Sequence, residues 1–261
     1  MLTVRQAAVA GTFYPADAGE LMEMVDQFMA GAKGNGGMPK AVIAPHAGYV
    51  YSGPIAASAY THLVGGRETV QRVILLGPAH RVALRGLAAS SAQAFATPLG
   101  DVPVDQKALA NVLDLPQVRI WDEAHAFEHS LEVHLPFLQR LYKQFSIVPL
   151  VVGEASADEV SEVLDLLWGG PETAVVISSD LSHFHDYTTA QHLDEATAQA
   201  IMALEGQALQ YESACGRNAI RGLLNIARAR GLNGRLVDLR NSGDTSGSRS
   251  RVVGYGAFVF E

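Results

Sequence analysis

Two short runs, Ala44-Pro45-His46-Ala47-Gly48-Tyr49 and Leu76-Gly77-Pro78-Ala79-His80, each set a histidine just past a hydrophobic segment. Pro and Gly beside each histidine fix the backbone where the imidazole must point. Neutral imidazole suits Fe, Zn, Cu or Ni, and two histidines with one carboxylate and open positions suit Fe(II) oxygen chemistry or metal-assisted hydrolysis. A third run, Ser179-Asp180-Leu181-Ser182-His183, puts Asp180 and His183 three residues apart, on one face of any helical turn that begins there. His183 then serves as general base or third ligand, with Asp180 either orienting it or capping the turn. Asn241-Ser242-Gly243-Asp244-Thr245 follows another predicted strand and offers one more carboxylate.

A second cluster, Phe127-Glu128-His129-Ser130-Leu131-Glu132-Val133-His134-Leu135-Pro136, invites comparison with helical zinc proteases but lacks the His-Glu-x-x-His pattern. His129 and His134 are five residues apart, about 140° around a helix, and cannot readily chelate one ion from it. Leu131, Leu135, Leu138 and Tyr142 form an apolar stripe. Glu128, His129 and Glu132 then support the pocket or contact substrate, the alternative being an exposed helical face. Tyr49 and Tyr51 lie in a Gly-flanked loop and either line the pocket as phenolic donors or pack in the core. Cys215 precedes Gly216 at a predicted helix start, where the helix N-terminus would lower its thiol pKa; the alternative is a small buried residue. His62, His125, His185 and His192 have no comparable setting.

These residues need a scaffold that brings loop ends together. Runs rich in Val, Ile and Leu at 40–44, 72–76, 145–151, 173–178 and 235–239 predict strands of a central sheet. Segments with helical spacing at 53–63, 130–142, 157–168, 190–204 and 215–230 alternate with them. That alternation predicts an α/β fold, a central mostly parallel sheet with helices on both faces. Ligands in such folds collect beyond the carboxyl ends of the strands, where His46, His80 and Asp180 fall. Residues 86–104, with Pro98 and Gly100-Asp101, predict an added β-hairpin on the sheet edge, 251–260 a final strand, and 31–37 a Gly-rich surface loop.

The chain has 261 residues, 48% of them hydrophobic, and no Pro/Gly/Ser-rich linker, which predicts one domain spanning 1–261. A formal net charge of −8 with scattered Lys and Arg argues against nucleic acid as partner. Residues 1–15 carry no apolar run of signal-peptide length, so no membrane partner and a cytoplasmic location are expected. Cys215 is the only cysteine, which excludes an intrachain disulfide and a cysteine-rich zinc cluster.

Taken in order, Gly11-Thr12-Phe13-Tyr14-Pro15, Pro45-His46-Ala47-Gly48-Tyr49 with Tyr51-Ser52-Gly53, Gly77-Pro78-Ala79-His80, the Glu128–Pro136 run, Ser178-Ser179-Asp180-Leu181-Ser182-His183 and Cys215-Gly216 closely resemble the Memo family, also known as AmmeMemoRadiSam system protein B. The resemblance covers essentially the whole chain. It implies a LigB-like architecture, that of the catalytic subunit of class III extradiol dioxygenases, non-haem Fe(II) enzymes that open catechol rings. It implies His46 and His80 as the metal pair and His183 as the base. It also implies a third ligand in the last loop, where animal relatives carry cysteine and this chain has Thr245 beside Asp244. Asp244 then completes the metal set, or His183 does.

The function implied is a divalent-metal-dependent redox protein, with Fe(II) first, Cu or Zn as alternatives and a metal-free pocket as the remaining case. The competing reading is a non-catalytic protein that binds metal or peptide and works with AMMECR-type and radical SAM partners. A metal hydrolase is a third. A small molecule or peptide is expected in the pocket.

Overall fold

Continuous Val, Ile and Leu runs become the central strands, because a strand buried on both faces has no polar side to alternate with. The computed structural model describes residues 3–34 and 36–261; the first two positions of the N-terminal stretch and position 35 of the Gly-rich loop lie outside the described residues. The strands are β1 (Val4–Arg5), β2 (Ala41–Ala44), β3 (Arg72–Pro78), β4 (Leu87–Ala89), β5 (Ala94–Thr97), β6 (Gly100–Pro103), β7 (Val118–Ile120), β8 (Ser146–Val152), β9 (Thr173–Ser178), β10 (His183–His185), β11 (Gly234–Asn241) and β12 (Val252–Phe260). The helices are α1 (Ala18–Gly31), α2 (Tyr49–Tyr60), α3 (Gln106–Ala110), α4 (Glu123–Ala126), α5 (Leu135–Leu141), α6 (Ala157–Leu167), α7 (Tyr187–Met202), α8 (Arg217–Ala229) and α9 (Ser242–Thr245).

Among the described residues the main sheet runs β10-β12-β2-β9-β3-β8-β4-β7, with β11 also paired to β12. Its centre, β2-β9-β3-β8, is parallel, while β12 and β4 run antiparallel on either flank. Every residue of β2 and β9 is buried, so helices cover both faces of the sheet. Helix α2 packs on β2, β11 and β12, and α8 packs on β3 and β9. Parallel register pairs Ala44 with Ser178, Leu76 with Ile177 and Pro78 with Val152. The carboxyl ends of these strands therefore meet at one edge, and the chain leaves them toward His46, His80 and Asp180. No helix among the described residues is long and apolar enough to cross a membrane.

The expected hairpin exists but lies elsewhere. β5 and β6 pair antiparallel, and β5 takes β1 as a parallel neighbour, forming a separate three-stranded sheet. Leu87–Ala89, from the same predicted stretch, instead joins the main sheet beside β8. The turn falls at Pro98-Leu99 rather than Gly100-Asp101, since Pro98 presets the turn and Gly100 follows at φ +110°.

Local chemistry also moves helix ends. Pro136 has no N–H to give back to the preceding turn, so residues 130–142 form a 3₁₀ turn at Glu132–His134 and then α5. Helix α2 starts at Tyr49, so Tyr49 and Tyr51 stand in its first turn and not in a loop. Helix α1 had no counterpart in the sequence reading; Asp17 caps it by accepting from the N–H groups of Gly19 and Glu20. Gly222 lets α8 approach α6, where an added Cβ would strike Val160.

Buried histidines make the fold acid-sensitive. Burial pushes His125 down to about 4 and His134 down to about 3. Both bind fewer protons folded than unfolded below pH 6.5, so the stability present above that pH is lost as pH falls. Asp194 opposes them. Burial pushes its carboxyl up to about 6, so its contribution falls as pH rises from about 4 to 6. Between pH 6.5 and 4 each histidine loses on the order of 3 kcal/mol, while Asp194 recovers roughly one such amount. Asp180, pushed up to about 6 by burial, opposes the histidines as well, while His46 and His129, lowered by burial, add to the loss. The net expectation is destabilisation over that window, measured by urea unfolding. His125→Gln, whose amide can still donate to the Ala88 carbonyl that His125 Nε2 meets at 2.9 Å, is expected to flatten the curve. An unchanged slope contradicts the assignment.

Candidate metal centre

His46 leaves β2 and is buried, and its ring is fixed through Nδ1, which lies 2.6 Å from Ser178 Oγ. Ser178 Oγ donates its only proton to the Ser130 carbonyl at 2.6 Å, so it accepts from His46 Nδ1. The lone pair is thereby left on Nε2. The His46 backbone N–H donates to Asp180 Oδ1 at 2.8 Å.

His80 follows β3 and is held in the same manner by a carboxylate. Its Nδ1 donates to Glu128 Oε1 at 2.9 Å and its backbone N–H to Oε2 at 2.6 Å. Glu128 also accepts from the backbone N–H groups of His129 and Ser130, each at 2.9 Å. Burial alone would raise the Glu128 carboxyl, but these hydrogen bonds and the His80 charge bring it down to about 2. A carboxylate on the far nitrogen of an imidazole fixes its tautomer and raises its basicity as a ligand.

Cys215 completes the group from the head of α8. Its thiol lies 3.4 Å from His46 Nε2 and accepts the Asp180 N–H at 3.3 Å. Gly216 lets this segment press on the end of β9, where an added Cβ would come within 2.5 Å of the Ser178 carbonyl. The Gly216 N–H donates to Ser179 Oγ at 2.9 Å. The donor atoms of His46, His80 and Cys215 lie within 4.8 Å of one another.

The arrangement fits a transition metal. Metal–nitrogen bonds near 2.0–2.1 Å and metal–sulfur bonds near 2.3 Å set neighbouring donors about 3.5 Å apart around a tetrahedral ion, and the His46–Cys215 separation is 3.4 Å. Burial, and then the neighbouring histidines, push His46 well below its ordinary range, so it is a neutral imidazole. Burial and the Asp180 charge push the Cys215 thiol up. Of the two sequence alternatives this favours the small buried residue over a thiol activated by the helix N-terminus, because burial dominates. A bound cation deprotonates such a thiol outright.

His80, Glu128 and His129 form an overlapping group of donors within the same distance. His129 stacks on His80 with ring centroids 4.8 Å apart and meets His46 edge-on at 5.4 Å. Its buried Nδ1 has no hydrogen-bond partner among the described residues. His134 points elsewhere, with Nδ1 2.8 Å from the Tyr60 hydroxyl.

Other residues named from the sequence take different places. Tyr49 is buried and donates to the Val133 carbonyl at 2.6 Å, whereas Tyr51 is exposed. Glu128 and Glu132 are both buried, which overturns the exposed-face alternative. Glu132 works as an anchor for the N-terminal segment: it pairs with Arg5 and accepts from Ala8 N at 2.7 Å, Val9 N at 3.0 Å and the Tyr14 hydroxyl at 2.5 Å. Asp244 and Thr245 stand in α9, and Asp244 joins neither group of potential ligands. Its carboxylate accepts from Asn241 N at 3.0 Å and the Tyr187 hydroxyl at 2.5 Å, and Thr245 donates to the Ser242 carbonyl at 3.3 Å. The place expected for Asp244 beside the two histidines is held by Cys215.

A cleft of about 360 Å³ opens over the cluster, lined by His80, Cys215 and His183 together with Glu154, Tyr211 and Arg217. His46 and Asp180 lie buried beneath it. Ser130, Ser178, Tyr211 and Arg217 were not singled out from the sequence. Arg217 carried a signal, since it lies two residues past Cys215 at a predicted helix start.

A family model described as Memo-like protein matches residues 5–259. A MEMO1 family protein of Aquifex aeolicus is 35% identical over 272 residues, covering 99% of this chain and 100% of its own. One of Ignicoccus hospitalis is 36% identical over 288 residues, covering 99% of both. Another, of Aeropyrum pernix, is 37% identical over 281 residues, covering 98% and 99%. The crystal structure of an uncharacterized protein from Escherichia coli K12 superposes with a TM-score of 0.54 at 17% identity, covering 84% of this chain and 99% of that one. That likeness concerns the fold alone.

Proposed function

Since the chain belongs to the Memo family, we propose that it is a metal-dependent redox protein in which His46, His80 and Cys215 hold a divalent transition metal. The observation that carries this reading is the convergence of three donors, with Nδ1 of each histidine committed to a partner and Nε2 left for the ion. A thiolate with two imidazoles disfavours Mg and Ca and leaves iron, copper or zinc. Fe(II) is the first choice, in keeping with the extradiol-dioxygenase resemblance of the motifs. When bound, such a metal supplies Lewis acidity and, for iron or copper, one-electron chemistry toward substrate or dioxygen.

The protein's own groups do the rest. Glu128 and Ser178 hold the two imidazoles in the ligating tautomer. Asp180 ties the strand end to the helix head, since its carboxylate accepts from His46 N and its carbonyl from Cys215 N at 3.3 Å. His183, on the cleft wall, is the group assigned to move a proton to or from the bound molecule.

The test is anaerobic purification and Fe(II) loading, followed by metal content and dioxygen uptake with catechols or thiols. About one metal per chain is expected in the wild type and background in His80→Ala, with His183→Ala keeping metal but losing uptake. Background metal in the wild type, or equal content in His80→Ala, contradicts the reading.

A further inference from the structure

The side chain of Arg217 lines the cleft beside Cys215 and is only 16% exposed. Among the described residues its side chain makes no hydrogen bond. Its carboxylate neighbour, Glu154, stands 3.7 Å away and is 73% exposed, an ion pair too long for a hydrogen bond and too solvated to hold tightly. The exposed Tyr211 ring lies against the guanidinium at 4.6 Å. The neighbouring Asn218 gives one amide N–H to the Gly153 carbonyl at 2.8 Å, which leaves the second as a donor. A largely buried arginine side chain with free donors is the usual fork for a carboxylate or phosphate.

The surroundings reinforce this. A second cleft of about 740 Å³ shares Glu154, Arg217 and Asn218 with the first and adds Glu159, Arg85, Arg119 and Arg221, the last already bonded to the Gly206 and Leu209 carbonyls. In a chain of formal net charge −8, arginines outnumber carboxylates in this adjoining cleft, although Glu154 and Glu212 also line the first. The arginines raise the local concentration of anions at the mouth.

We propose that Arg217 is the anion-recognition residue of the cleft, so that the molecule presented to His80 and Cys215 is a small one carrying a carboxylate or phosphate group. As a statement of substrate class this rests on the metal reading above; as an anion site it stands on Arg217 and the cleft. The volume of about 360 Å³ falls within the range of small-molecule sites. Glu154 is the group displaced when the anion enters.

Calorimetric titration of the metal-free and Fe(II)-loaded protein with benzoate and with inorganic phosphate, at constant ionic strength, tests the proposal. At least one probe is expected to saturate a single site in the wild type. Arg217→Gln should weaken that site at least about tenfold, since charge-assisted hydrogen bonds contribute on the order of 1.5–3 kcal/mol, and Arg217→Lys should fall between. A preference for benzoate assigns the carboxylate class and a preference for phosphate the phosphate class. Failure of both probes to saturate, or wild-type affinity in Arg217→Gln, overturns the proposal. Metal content is measured in the same samples. Arg217-dependent anion binding by Fe(II)-treated protein that retains no metal would contradict the metal reading alone, whereas full metal content without anion binding would contradict only the present inference.

Discussion

Cys215→Ala is expected to weaken binding of a divalent transition metal by well over about 100-fold, because loss of an outer partner of a ligand already costs 10–100-fold. The substitution removes the one thiolate and leaves two imidazoles facing each other across 5.1 Å between ring centroids. Cys215→Ser should fare little better, since a hydroxyl remains protonated at neutral pH and makes a poor ligand. The metal-free fold should lose far less, about 1–2 kcal/mol, chiefly because the buried Asp180 N–H loses the sulfur that accepts it. Asp244→Asn provides the contrast. Its carboxylate serves Asn241 and Tyr187, so metal affinity should match wild type. Competition against a chromophoric chelator measures both variants.

Glu132→Ala is expected to cost about 3–5 kcal/mol, the range for removing one partner of a buried ion pair. Glu132 is fully buried and receives Arg5, two backbone N–H groups and the Tyr14 hydroxyl. Without it, the Arg5 guanidinium remains buried with only the carbonyls of His125 and Glu128 as acceptors. For a chain of this length the midpoint of thermal unfolding should drop by roughly 10 °C. Tyr14→Phe removes one hydrogen bond and should cost only about 1–1.5 kcal/mol. Arg5 also bonds the carbonyl of Glu128, the residue that holds His80, so Glu132→Ala should weaken metal binding as well. Equal unfolding midpoints for wild type and Glu132→Ala would remove Glu132 from its anchoring role.

The convergence of His46 and His80 was legible because both follow unbroken apolar runs, and parallel strands deliver their carboxyl ends to the same edge. The third donor was not. Cys215 stands just before α8 and Asp244 within the single turn of α9, and only the packed position of α8 decides which one reaches the histidines. Gly222 against Val160 and Gly216 against Ser178 set that position, and these are close approaches between segments far apart in sequence. The partners of Glu132 were illegible for a related reason. A carboxylate inside an apolar motif signals burial with partners, but its partners at positions 5 to 14 form no pattern with it in sequence. The hairpin shifted because strand β1 is only two residues long, too short for a recognisable run.

The central claim is that sulfur and two imidazoles bind one ion. X-ray absorption at the metal edge of protein loaded anaerobically with Fe(II), and separately with Zn(II), tests it most directly. The expected spectrum contains one sulfur scatterer near about 2.3 Å and imidazole nitrogens near about 2.0–2.1 Å, with the sulfur signal absent in Cys215→Ala. A coordination sphere of nitrogen and oxygen alone in the wild type, or a sulfur signal that survives Cys215→Ala, would contradict the account.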